Sequence, residues 1–243
     1  MDGNRGIIAA LILALGLGAA GWHVGQGFRQ GRSSDRYVTV KGVSERDVEA
    51  DLALWPLQFV AADNDLGRAQ GRLDESIRAT LAFLTAQGLD TAQTRLQGLR
   101  VTDVLANPYQ QQRAANRFVV NQTLVVRSTD PRTVLAASER VGELVQAGVV
   151  LSSGADYGTT GPTFLFTRLN EIKPEMIGEA TSRAREAAEQ FAADSHSRIA
   201  GIRRASQGVF VILARNRAPG LTEPSQLEKT VRVVSTVEYF LKD

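Results

Sequence analysis

The chain has 243 residues, 43% of them apolar and 22% charged, a balance that fits a packed core and excludes wholesale disorder. Its 28 Lys and Arg stand against 26 Asp and Glu, and no basic run is denser than Arg203-Arg204, which argues against the clustered cationic face of a nucleic-acid binder. Cysteine is absent, so disulfides, thiolate metal sites and a cysteine nucleophile are excluded.

The first element is hydrophobic. Gly6 to Trp22 carries no charge, and extended through Val24 it is long enough to cross most of a hydrocarbon core of roughly 30 Å. Trp22 sits where an interfacial aromatic belongs, with Arg5 before the stretch and Arg29, Arg32 and Arg36 after it. This predicts a five-residue tail (1–5), a transmembrane signal anchor at 6–28 and a linker at 29–36. The competing reading is a cleaved signal peptide ending near Gly18-Ala19-Ala20, but the apolar run is long for one and has no polar segment before that site. Gly21 and Gly25 have the spacing that lets membrane helices approach closely, and Gly27 and Gly31 repeat it. Charge after the helix favours a cytoplasmic domain. The short tail, the export-like start and the ease with which long domains translocate favour the opposite, and an extracytoplasmic domain is expected.

Residues 37–243 read as one α+β domain, a mostly antiparallel sheet with helices packed on one face. Tyr37 to Gly42 alternates as a short strand ending in a turn, and Val48 to Ala62 as a longer one, in which Pro56 demands an edge or a bulge. Asp63-Asn64-Asp65 offers helix caps ahead of Leu66, Ala69, Leu73, Ile77, Leu81 and Leu84, with Gly88 as the stop. Thr94 to Leu105 is extended, Asn107 to Asn116 a polar loop, and Phe118 to Arg127 a strand. Asp130-Pro131 opens a helix that runs to Gly148. Val149 to Leu169 is extended around a Gly/Thr-rich interruption at 157–162. A long helix spans about Pro174 to Ala193, its inner positions Ile177, Ala180, Ala184, Ala187, Ala188 and Phe191 small enough for close packing. Arg203 to Leu213 is a strand. In the last one, Thr230 to Lys242, Val231, Val233, Val237 and Tyr239 share a face and are expected to form an edge for oligomerisation.

Five stretches in order resemble the bacterial SIMPL-domain family: Tyr37–Gly42, Phe164–Asn170, the Ala-rich Lys173–Ala192, Ser197–Phe210 and Lys229–Leu241. The segment Gly21 to Gly25 is similar to that of membrane-anchored members. The resemblance implies an exported or envelope-associated bacterial protein, linked to stress tolerance and prone to large homo-oligomers, with no catalytic residues to carry over.

Sites of chemistry are sparse. His23 lies at the anchor's end, and His196 follows a helix with Asp194 near it in sequence alone. Asp63-Asn64-Asp65 lacks a calcium loop, and the glycines at 154–161 lack a phosphate-binding lysine. Trp55, Pro56 and Phe59 read as buried strand residues. No cofactor is expected. The expected function is a non-catalytic protein anchored by a single pass in the bacterial inner membrane, its C-terminal domain in the periplasm, self-assembling into a ring or cage. Its partners are itself and the bilayer, with no nucleic acid. The alternative is a periplasmic module binding a small ligand or peptide, rimmed by loops 107–116 and 157–162.

Overall fold

Alternation and helix caps set the elements, and the computed structural model describes residues 13–26, 36–106, 115–152 and 161–242. The strands are β1 (Tyr37–Glu49), β2 (Leu52–Asp63), β3 (Arg95–Asp103), β4 (Phe118–Ser128), β5 (Thr163–Leu165), β6 (Arg198–Gln207), β7 (Val211–Ala214) and β8 (Glu228–Lys242). Helix α1 covers residues 13–26, followed by α2 (Leu66–Ala86), α3 (Pro131–Glu139), α4 (Gly142–Gln146) and α5 (Leu169–Asp194). The fold class is α+β, as the pattern of elements predicts. The chain divides into a terminal unit (Met1–Glu45, Pro174–Phe210, Arg232–Asp243) and a central unit (Arg46–Lys173, Val211–Val231).

The central unit is built on a sheet of order β3-β4-β2-β5. β2 and β4 pair antiparallel from Ala53↔Ser128 to Asp63↔Phe118, which sets Trp55, Leu57 and Phe59 beside Val126, Leu124 and Gln122. Period-two alternation puts Ala53, Trp55, Leu57 and Phe59 on one buried face. Helix α2 covers that face with Ala69, Leu73, Ile77 and Leu84, and Val134 and Ala137 of α3 and Leu144 of α4 complete the core. Leu66 is exposed and Leu81 only partly buried, so the helix buries a narrower stripe than its leucines suggest. Asp65 caps α2 by accepting from the Arg68 N–H (2.9 Å), and Gly88 follows the helix at φ +82°. Asp130 caps α3 with Pro131 in the first turn. The single predicted helix of 131–148 is two, α3 and α4.

Pro56 sits in a strand paired on both sides, not at an edge. The Ser152 N–H donates to the Gln58 carbonyl and the Val60 N–H to the Val150 carbonyl, so residues 58 and 60 turn their backbone groups away from β4. Pro56 has the same parity, and β5 pairs only with residues 52–54. The donor that proline lacks is therefore one the β2–β4 ladder does not use.

In the terminal unit the order is β1-β8-β6; β7, in the central unit, also pairs with β8, whose first residues lie in that unit. β6 and β8 run antiparallel. β8 buries every second side chain from Lys229 to Tyr239. The alternation is as expected, but the edge assignment is corrected: β8 has a neighbour on each side, and Val231, Val233, Val237 and Tyr239 are buried side chains. Alternation reports which faces are covered, not how many neighbours a strand has.

Helix α5 packs through Met176, Ala180, Ala184, Ala188 and Ala192, a strict four-residue repeat. Phe191 lies off this stripe and is exposed, against expectation. Gly42 is not a turn. β1 runs through it to Glu49, and a side chain there would meet the Ala180 carbonyl oxygen at 1.8 Å. Alanine on the helix and glycine on the strand let the two backbones touch. Ser44 bonds Glu179 beside this contact (2.7 Å).

Candidate interaction surfaces

Helix α1 is uncharged over its described residues, and every one of them is exposed, Leu13, Leu15, Leu17, Trp22 and Val24 at 62% or more. An apolar helix in water with nothing covering it is an unmet burial requirement. Among the described residues no helix is long and apolar enough to cross a membrane, and of the predicted span 6–28 the described residues are 13–26. A Cβ on Gly21 or Gly25 would meet nothing within 4 Å. Gly27 and Gly31 lie outside the described residues.

The outer strands differ in how they are protected. Pairing alternates along β1: the Arg36 carbonyl accepts from the Leu241 N–H, so the Val43 carbonyl, of opposite parity, faces away from β8. Arg183 of α5 donates to that carbonyl (2.7 Å). β6 carries Arg198, Arg203 and Arg204 and breaks register twice against β8. Arg203 lies 4.0 Å over the Tyr37 ring and 3.4 Å from Glu238, tying the strand down. β5 has three residues. Charge, bulges and shortness are the usual defences of a sheet edge. β3 has nine residues, eight exposed, including Leu96, Leu99 and Val101 at 47 to 56%.

Acidic side chains alternate at Glu45, Asp47, Glu49 and Asp51, each paired to an arginine from another segment. In the terminal unit Glu45 meets Arg232 (3.2 Å). In the central unit Asp47 meets Arg215 (3.5 Å) and Thr230 (2.7 Å), and Glu49 takes two 2.5 Å bonds from Arg132. Asp51 accepts from the Thr167 N–H (2.7 Å), the Thr167 hydroxyl (2.9 Å) and Arg168 (3.1 Å). Hydrogen bonds from Arg132 hold the Glu49 carboxyl below its usual range. Burial pushes Asp51 up, and the bonds from Thr167, its own backbone N–H and the charge of Arg168 together more than reverse it. These groups are consumed in fastening the fold.

The other candidates for chemistry prove structural. Asp63 holds Arg68 (2.9 Å) and Arg72 (3.1 Å), with the Arg68 hydrogen bond lowering its pKa; Asn64 accepts from the Arg117 N–H (3.0 Å), and Asp65 is the cap. His196 is an exposed residue at φ 54°, closing the C-terminus of α5 through its N–H to the Ala193 carbonyl. His23 is exposed on α1. Trp55 and Phe59 are buried, as expected. Among the described residues no group of three His, Cys, Asp or Glu is placed to hold a metal.

An open cleft of about 590 Å³ lies between the end of β2 and α2, lined by Val60, Ala62, Arg72, Glu75, Ser76 and Val149. Its polar groups are engaged internally: Arg72 with Asp63, and the Ser76 hydroxyl with the Arg72 carbonyl. Of the loops expected to rim a ligand site, 107–114 and 153–160 lie outside the described residues.

The sequence profile of the SIMPL family, described as a protein of unknown function (DUF541), matches residues 38–239. The chain belongs to the SIMPL family. No individual curated protein matches it. The SIMPL match begins at the second residue of β1 and ends on Tyr239 in β8, so it takes in both units and leaves α1 outside. The family brings no catalytic assignment, and the arrangement of SIMPL side chains here is one of fastening. Two features escaped the sequence reading. One is the β3 edge, whose signal was the exposable Leu96, Leu99 and Val101 in an extended segment. The other is Lys229, fully buried and bonded to the Glu223 carbonyl (2.7 Å) and carboxylate, for which no sequence signal exists.

Proposed function

We propose that this SIMPL protein is a non-enzymatic bacterial envelope protein, tethered to the inner membrane by its N-terminal helix and self-assembling at the periplasmic surface into a ring or cage. The observation that carries the reading is α1: an uncharged helix on which Leu13, Leu15, Leu17, Trp22 and Val24 are all exposed in one continuous apolar stretch. In sequence the uncharged stretch runs from Gly6 to Phe28, about 34 Å as a helix. A bilayer supplies the apolar surroundings such a stretch requires. The outer strand β3, with Leu96, Leu99 and Val101 exposed, supports the assembly part of the reading.

The tether is tested by floating the full chain with lipid vesicles and washing at alkaline pH. The wild type stays with the vesicles. Leu13→Arg/Leu17→Arg, which adds about 3 kcal/mol per charge to insertion, leaves them. A wild type that washes off overturns the tether.

A further inference from the structure

The face of the terminal sheet turned away from α5 carries an unbalanced charge. Val40 of β1 and Val237 and Tyr239 of β8 pack with Ala184 and Ala188 of α5, so the alternate residues of those strands share the opposite face. β6 joins them through its register: Arg198 lies opposite Lys242, and Arg204 opposite Glu238. The extra residue at the second register shift, Arg203, reaches the same face, where it meets the Tyr37 ring (4.0 Å) and Glu238 (3.4 Å). Among the described residues of these three strands, the carboxylates on this face within the terminal unit are Glu45 and Glu238. Each holds one arginine, Arg232 and Arg203. Lys41, Arg198, Arg204 and Lys242 remain. All four are exposed, and no side-chain hydrogen bond or ion pair joins them to a described residue.

We propose that this face docks on the anionic phospholipid headgroups of the membrane that holds the tether. The proposal rests on the tether reading for its geometry. The Arg36 carbonyl accepts from the Leu241 N–H, so the chain enters the sheet beside the row of Arg198 and Lys242. From Phe28, the last residue of the expected span, to Arg36 the chain can reach at most about 29 Å. The cationic row therefore stays close to the point where the tether leaves the bilayer. Tyr37, 46% exposed, stands on the same face and suits the headgroup layer, where amphipathic aromatics gather. Each unpaired cation near an anionic surface multiplies binding by about fivefold, and the tether supplies a high effective concentration. Docking on this face turns α5 outward, away from the lipid.

The cysteine-free chain accepts a single fluorescent label. Full-length Thr39→Cys carries it on this face, and Ser182→Cys on the outer side of α5, half a turn from the buried alanines; both sites are exposed. Each protein is reconstituted in vesicles whose headgroups bear a quencher. The Thr39 label is expected to be quenched in vesicles containing phosphatidylglycerol and not in pure phosphatidylcholine, and the Ser182 label in neither. Arg198→Gln/Lys242→Gln lowers the ratio of docked to undocked protein about 25-fold, whereas Arg198→Lys/Lys242→Arg keeps it. All four positions are exposed, so folding survives the substitutions. Quenching that is equal on neutral and anionic vesicles, or unmoved by the glutamine pair, overturns the docking face while the protein's retention on both vesicles upholds the tether. A wild type that leaves neutral vesicles overturns the tether. The docking face then stands if the wild type still floats with anionic vesicles and the glutamine pair does not, and falls if the two behave alike.

Discussion

A Cβ built on Gly42 would lie 1.8 Å from the carbonyl oxygen of Ala180 and 2.5 Å from the amide nitrogen of Ala184. The obstructing atoms are helix backbone, which cannot rotate aside as a side chain can. Gly42→Ala therefore forces α5 off β1 and uncovers the cluster of Val40, Ala184, Ala188, Val237 and Tyr239. The expected loss is about 3 kcal/mol, at the upper end of overpacking costs, read as a lowered urea midpoint. Gly178→Ala, on the same helix with nothing within 4 Å of the added atom, is expected to be neutral or slightly stabilising.

The buried pair of Lys229 and Glu223 predicts an asymmetry. Lys229 is completely buried, whereas the Glu223 side chain retains 31% exposure. Glu223→Ala strands an ammonium in the interior with a backbone carbonyl as its remaining named partner, at a cost of about 3 kcal/mol. Lys229→Met removes the charge, keeps much of the volume and leaves a carboxylate that water can reach, so it costs less. Thermal unfolding of the two variants side by side reads the difference, and equal losses would refute the explanation.

The capping aspartates predict smaller effects. Asp65 accepts from the Arg68 N–H at 2.9 Å, and Asp130 accepts from the Thr133 N–H at 3.2 Å. Replacing either with alanine is expected to cost about 1 kcal/mol in denaturant unfolding, with Asn retaining most of the stability.

Acid sensitivity follows from the carboxylates. Glu49, Asp51, Asp63, Asp103 and Asp130 are all held below their ordinary pKa values in the folded chain. The unfolded chain then binds more protons at low pH, so their contribution is complete above the unfolded values, near about pH 4, and is lost as pH falls through the folded ones. Urea midpoints are expected to be flat from about pH 7 to about pH 5 and to fall below about pH 4. Glu49→Gln shallows that fall, since Arg132 is the main cause of the Glu49 depression.

How much of this was legible in the sequence depended on whether the cause was local. Asp65 and Asp130 announce their helices because a cap bonds the N–H three residues on. Trp55, Phe59 and Leu124 announce their burial through alternation. Gly42 misled because a glycine after a short alternating run looks like a turn, and the helix that requires it lies more than 130 residues later. Val231, Val233, Val237 and Tyr239 misled similarly: strand order is a property of the whole chain, so a well-patterned strand can be central or outer. The arginine partners of Glu45, Asp47, Glu49 and Asp51 were invisible because they come from four separate segments.

The central claim, a tethered chain that assembles with itself, is tested most directly by native mass spectrometry of the full-length protein in mild detergent, with the denatured mass alongside. The account predicts a large, discrete oligomer of intact chains that retain the N-terminal helix. A monodisperse monomer would contradict it.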